Sequence, residues 1–147
     1  MMITEPHTLS ASQVNGILDL MRELNSDLVV TPEMLTKSLA SASSHFFAIV
    51  EDDDHIAGCA TLCVYDSPTG QKASLEDVVV SSKYRGQGLG ELLVQHVISF
   101  ARRELENVDI HLTSRPHRVA ANKLYQKLGF EKRETNAYEM RVREEEL

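Results

Sequence analysis

The spacing of hydrophobic positions changes several times along the chain, and each change marks an element. Residues 2–7 are short and mixed and read as a first strand. After Ser10 and Ser12, either of which can act as an N-cap, Ile17, Leu18, Leu20, Met21 and Leu24 recur at helical spacing. Thr31-Pro-Glu-Met predicts a second helix, with Thr31 as N-cap and Pro32 in its first turn. The serines at 41–44 end that helix near Leu39. Residues 46–51 and 56–65 read as hairpin strands around the polar turn at 52–55. A second turn at 66–70 leads into a strand that ends in Val78, Val79 and Val80.

The longest helical stripe follows, through Leu89, Leu92, Leu93, Val97, Phe100, Ala101 and Leu105. Residues 108–113 return as a strand with Ile110 and Leu112 on alternate positions. Residues 118–128 form a helix with Ala121, Leu124, Tyr125 and Leu128 on one face, and Gly129 stands where a left-handed cap is expected. Residues 130–134 and 138–142 read as a closing strand pair. This order predicts an α/β (α+β) fold, a mixed central sheet with helices on both faces. No repeat or linker interrupts it, so residues 1–147 are expected to form one domain.

The formal charge of −7 gives no footprint for nucleic acid or for an anionic membrane. No apolar run reaches membrane-spanning length and no basic-then-apolar signal opens the chain, so a cytoplasmic protein is expected. Cys59 and Cys63 fall on one face of one strand, roughly 13 Å apart at ~3.3 Å per residue, too far to be bridged. They lack partner Cys/His spacing for zinc, and read as reduced small hydrophobes with no metal.

Chemistry concentrates between Ser74 and Gly90. A β-branched strand gives way to a polar turn, and Gly86, Gly88 and Gly90 open the long helix. Alternate glycines let the backbone adopt φ > 0 and turn N–H groups toward one point, where the helix dipole adds a favourable field for an anion. A P-loop would end in Gly-Lys-Ser/Thr, whereas Gly90 precedes Glu91. A dinucleotide fold would place G-x-G-x-x-G in an early βαβ unit. A kinase loop would need a far longer chain.

Arg85-x-x-Gly88-x-Gly90 after a hydrophobic strand resembles the pyrophosphate loop of the GNAT superfamily of acetyl-coenzyme A-dependent N-acetyltransferases. Ala121-Asn-Lys-Leu-Tyr125-Gln-Lys-Leu-Gly129-Phe130 resembles the later helix of the same superfamily, in the expected order. The two blocks carry the resemblance over residues 75–130, and the element order extends it to nearly the whole chain. The resemblance implies an acetyl-CoA site: backbone of Val78, Val79 and Val80 along the pantetheine arm, and amides of Arg85, Gly86, Gln87, Gly88, Leu89 and Gly90 around the pyrophosphate. Arg85 either adds a charged contact to phosphate or neutralises acidic neighbours.

The resemblance also makes Tyr125 the acid that protonates the departing thiolate. Glu76 is expected to be the base, acting through water and sharing a strand face with Val78 and Val80. Asp77, on the opposite face, is the alternative, and both are candidates for holding the acceptor. Where similar proteins carry Asn seven positions before the tyrosine, this chain has Arg118; either Arg118 meets a cofactor phosphate or Asn122 contacts the pantetheine, and Asn122 is the expected contact. His111 reads as a sheet residue. The implied partner is a small-molecule or peptide amine, and a homodimer is open. Two further readings stand: glucosamine 6-phosphate N-acetyltransferase, with Arg143 on the sugar phosphate, and a CoA-binding regulatory module without turnover.

Overall fold

The structure, a computed structural model, describes residues 1–144. It divides into two compact units, Met1–Thr113 and the chain from Ser114 onward. The first unit runs β1 (Met2–Thr4), α1 (Ala11–Leu24), α2 (Pro32–Ala40), β2 (Ser44–Val50), β3 (Ile56–Ser67), β4 (Gly70–Val80), a 3-10 turn (Ser82–Tyr84), α3 (Leu89–Glu104) and β5 (Asp109–His111). Its five strands form one sheet in the order β1-β2-β3-β4-β5. The pairs from β1 to β4 are antiparallel, and β5 joins β4 in parallel.

Local chemistry starts the helices where the sequence predicts. Ser10 and Gln13 form a reciprocal capping box on α1, and Thr31 Oγ1 accepts from Met34 N at the start of α2. Alternation along β2 then feeds both faces of the sheet. Phe46 and Ala48 join Ile17, Leu20 and Met21 of α1, Leu35 of α2, and Cys59 and Val79 in one buried cluster. On the other face the Phe47 ring meets His96 and Phe100 of α3 edge-on, with ring centroids 5.5 and 5.1 Å away. Val94 joins the buried stripe of α3, whereas Leu92, assigned to that stripe from sequence, is 52% exposed and lies outside it.

One irregularity matters for function. Thr61 pairs with Glu76, but the next inward-facing pair is Cys59 with Val79, so β4 carries an extra residue. Asp77 fills this bulge with φ +52°. The bulge shifts the side-chain phase by one position, so Glu76 shares its face with Val79 rather than with Val78 and Val80. Glu76 and Asp77 are both exposed, correcting the expectation that a regular strand separates them onto opposite faces.

The second unit holds α4 (Val119–Lys127). Gly129 has φ +102°, and its N–H and that of Phe130 donate to Gln126 O and Tyr125 O, the paired bonds of a Schellman cap. Beyond it, the strand pair expected at 130–134 and 138–142 is absent: residues 130–144 contain no helix or strand. Glu131, Lys132, Arg133 and Glu134 give the first of those segments no apolar face to bury, and a two-stranded hairpin without such a face is marginal in water.

Candidate active site

β4 leaves the sheet through a loop fastened at several points. Ser81 N donates to Ala57 O at 2.8 Å, and Ser81 Oγ accepts from Lys83 N, capping the 3-10 turn. Glu23 of α1 reaches the loop and accepts from Ser82 N at 3.0 Å through Oε1. A side-chain hydrogen bond with Ser82 is the main cause that holds the Glu23 carboxyl below the usual Glu range; burial opposes it, and the Ser82 backbone bond and the charges of Arg85 and Lys83 add smaller lowering effects. Arg85 turns back on the loop: Nε donates to Val80 O at 3.4 Å and Nη2 lies 4.0 Å from Glu23. This position places the guanidinium beside an acidic neighbour. The Tyr84 hydroxyl donates to Glu51 at the end of β2.

Gly86 and Gly88 both have positive φ, +81° and +76°, and Gly88 is the N-cap of α3. Unlike Ser10 and Thr31, Gly88 has no side chain with which to cap its helix. The first intrahelical bond runs from Leu92 N to Gly88 O, so the Leu89 and Gly90 amides precede it at the positive end of the dipole. Space beside Gly86 and Gly88 is open, with no atom within 4 Å of where a Cβ would stand. Such a terminus suits a phosphate group bound through backbone amides.

Among the described residues, the strand leading to this loop is paired with another strand on one side only beyond Ser74. β5 pairs only with Lys72, Ala73 and Ser74 of β4, and its ladder stops there. On the other side β3 remains paired as far as Val80, opposite Gly58. A Cβ on Gly58 would stand 2.9 Å from Val79 O, so glycine permits this close approach. Beyond Ser74, therefore, β4 is laddered on one side, and the backbone of Val78, Val79 and Val80 can serve an extended ligand on the other.

The acidic pair lies at the bulge between these regions. Ser74 Oγ donates to Glu76 Oε1 at 2.5 Å. Partial desolvation, and then the neighbouring Glu76 charge, raise the Asp77 carboxyl above the usual Asp range, although the residue retains exposed surface. Burial, with a smaller contribution from Asp77, pushes the Cys59 thiol up to about 12, which leaves it an unreactive core group.

In the second unit Tyr125 is 7% exposed, and its ring meets Phe130 at a centroid distance of 5.9 Å. Burial raises its phenol above the usual value, and Arg118 opposes that shift. Asn122 Nδ2 donates to Arg115 O at 3.0 Å, closing the turn before α4. Arg143 donates to Val142 O, and His111 pairs with Ser74 in the sheet. Glu51, Asp53 and His55 bring possible ligand atoms within 4.8 Å of one another, in a surface turn where Asp53 bonds His55. Sequence reasoning missed Glu23. The available signal was a glutamate at the edge of a buried helical stripe, with Asp19 rather than a cation one turn before it.

A glycine-capped helix following a half-unpaired bulged strand coincides with a family match. The Acetyltransferase (GNAT) family matches residues 16–130, from α1 through the α4 cap. The chain belongs to this family. Among curated relatives, N-acetyltransferase 8B of Rattus norvegicus is 34% identical over 100 residues, 67% of this chain and 45% of that protein. Human N-acetyltransferase 8B is 30% identical over 110 residues, 72% of this chain and 48% of that protein. The GNAT chain thus spans less than half the length of these relatives. A putative acetyltransferase from Agrobacterium tumefaciens shares its fold, with TM-score 0.81 and 24% identity over 97% of this chain and 100% of that one. Glucosamine-6-phosphate N-acetyltransferase from Arabidopsis thaliana also does, with TM-score 0.76 and 20% identity over 95% of this chain and 97% of that one. No helix among the described residues is long and apolar enough to cross a membrane.

Proposed function

We propose that this chain is an N-acetyltransferase that moves the acetyl group of acetyl-CoA directly to a primary amine of a small molecule or peptide. The observation that carries the reading is the N-terminus of α3, where Gly88 at φ +76° leaves backbone amides open to a pyrophosphate in a chain of the GNAT family. Bound acetyl-CoA supplies an activated thioester. The amides from Arg85 to Gly90 hold its pyrophosphate, and the free edge of Val78–Val80 aligns its extended arm. The Asn122 amide, bonded to the Arg115 carbonyl, shapes the turn before α4.

The attacking amine must be neutral, so a group on the protein has to accept a proton. Asp77 fits this role better than Glu76, because the bulge presents it and its raised carboxyl binds a proton more readily than an ordinary aspartate. Tyr125 provides the opposite function. Its raised phenol stays protonated at neutral pH and has a proton to give to the departing thiolate.

Release of free thiol from acetyl-CoA across a panel of amines tests the reading. An amine-dependent signal is expected, whereas acetyl-CoA binding with no thiol release from any amine would favour a binding module. Tyr125→Phe should lower kcat by about a hundredfold, the lower range for general acid catalysis, and leave acetyl-CoA affinity unchanged. An unaltered kcat in that variant removes Tyr125 from the mechanism.

A further inference from the structure

The two carboxylates at the β4 bulge carry charge that the fold leaves unanswered. Glu76 and Asp77 are adjacent and both exposed. Ser74 Oγ occupies one oxygen of Glu76, and among the described residues neither side chain has an ion-pair partner. Elsewhere the same unit sets charges together: Arg22 lies against Asp19, Arg85 near Glu23 and Arg103 against Glu104.

The neighbours of Glu76 on its sheet face are polar and carry no fixed positive charge. Ser74 stands two positions before it, Thr61 pairs with it across β3, and Cys63 pairs with Ser74. His111 of β5 pairs with Ser74 on the other side. Lys72, the one cation of β4, donates to the hydroxyls of Ser67 and Thr69 at 2.7 and 2.5 Å, and β3 contains no lysine or arginine. A carboxylate or phosphate on the acceptor would meet like charge at the bulge, with no uncommitted lysine or arginine on either strand to hold it.

We infer that the acceptor is a diamine, with Asp77 serving the amine that reacts and Glu76 holding a second ammonium. This rests on the acetyl-transfer reading above and narrows it. A dication answers both carboxylates, whereas a monoamine leaves one bare, and hydrogen bonds between ionised groups are the strong ones. The near ammonium gives one proton to Asp77, and its nitrogen then forms the N–C bond as the C–S bond breaks with its electron pair on sulfur. The proton that nitrogen sheds on becoming an amide balances the one the thiolate takes up. The far ammonium keeps its charge throughout. Once one end is acetylated, a reversed pose would set a neutral amide against Glu76, so transfer stops at the monoacetyl product.

Three four-carbon amines that differ only at the far end test this: 1,4-diaminobutane, butylamine and 4-aminobutanoate. Thiol release at saturating acetyl-CoA should give a kcat/KM for the diamine about tenfold above butylamine, with 4-aminobutanoate lower still. Added salt should narrow the first gap. Glu76→Gln should bring the diamine-to-butylamine ratio close to unity. The ratio cancels whatever the Glu76 charge does to proton transfer at Asp77, because both amines share that step. Mass spectrometry should find the monoacetyl diamine. Equal kcat/KM for the diamine and butylamine overturns the inference, as does a ratio that survives Glu76→Gln or a mainly diacetylated product. In each of those cases amine-dependent thiol release leaves acetyl transfer standing. Absence of thiol release from these and every other amine overturns the acetyl-transfer reading, and the inference with it.

Discussion

Asp77 occupies a position that few side chains tolerate. Its φ of +52° lies in the left-handed region, where Asp and Asn are accepted far better than bulky residues. Asn is therefore a clean probe, because it keeps the bulge and removes the charge. If Asp77 accepts the proton, kcat/KM must fall on the acid side as its carboxyl protonates. Partial desolvation and Glu76 raise that pKa, so the limb should lie above an ordinary aspartate's range. Asp77→Asn should abolish the limb and most of the rate, while Glu76→Gln keeps the limb. A limb that persists in Asp77→Asn assigns the base elsewhere. Stability has a definite sign as well. The folded state favours the protonated acid, so ionised Asp77 is destabilising above its pKa. Asp77→Asn should raise Tm at pH 7, with the gain fading as pH falls and the original carboxyl protonates.

At the scale of elements, β4, its loop and α3 were legible in the sequence because glycine spacing and helical periodicity are local signals. The bulge was not, because it comes from the register between β3 and β4, and nothing in Glu76-Asp77-Val78 fixes a register. The closing strand pair failed for a related reason. Alternation at Tyr138, Met140 and Val142 specifies a strand face but does not name what covers it. Gly88 tests the local part. Alanine there has room but must adopt φ +76°, with a stability loss of about 1–2 kcal/mol. Asparagine tolerates this conformation and should recover most of the loss. Both place a side chain beside the amides proposed to hold phosphate, so both should raise the Kd for acetyl-CoA about tenfold or more, equivalent to one hydrogen bond. Calorimetry reads affinity and thermal melts read stability. Normal affinity in the asparagine variant would show that the loop does not approach the ligand closely.

At the scale of the whole molecule, the loop is anchored by residues far away in sequence. Glu23 on α1 holds Ser82 and Arg85, and Glu51 after β2 holds Tyr84. Periodicity places α1 against the sheet, but it does not show that a carboxylate at its end reaches a loop 59 residues later. Under the proposed function, this anchor ties donor binding to the body of the fold. Saturating acetyl-CoA, at about 100 times its Kd, stabilises the native state by ~2.7 kcal/mol, which raises Tm by roughly 8 °C in a chain of this size. Glu23→Gln removes the charge that Arg85 and Lys83 attend, so the loop should be less ordered before binding. A fivefold weaker Kd would remove about 1 kcal/mol of that stabilisation, or ~3 °C of the shift. The pH dependence follows from the depressed Glu23 carboxyl: its contribution is complete above the ordinary pKa of 4.5 and is lost as pH falls through the lower folded value. Melts with and without acetyl-CoA should therefore separate the variant from the original chain at pH 7 and bring them together in acid. An equal ligand-induced shift in both proteins at pH 7 would mean that the loop holds its binding shape without α1.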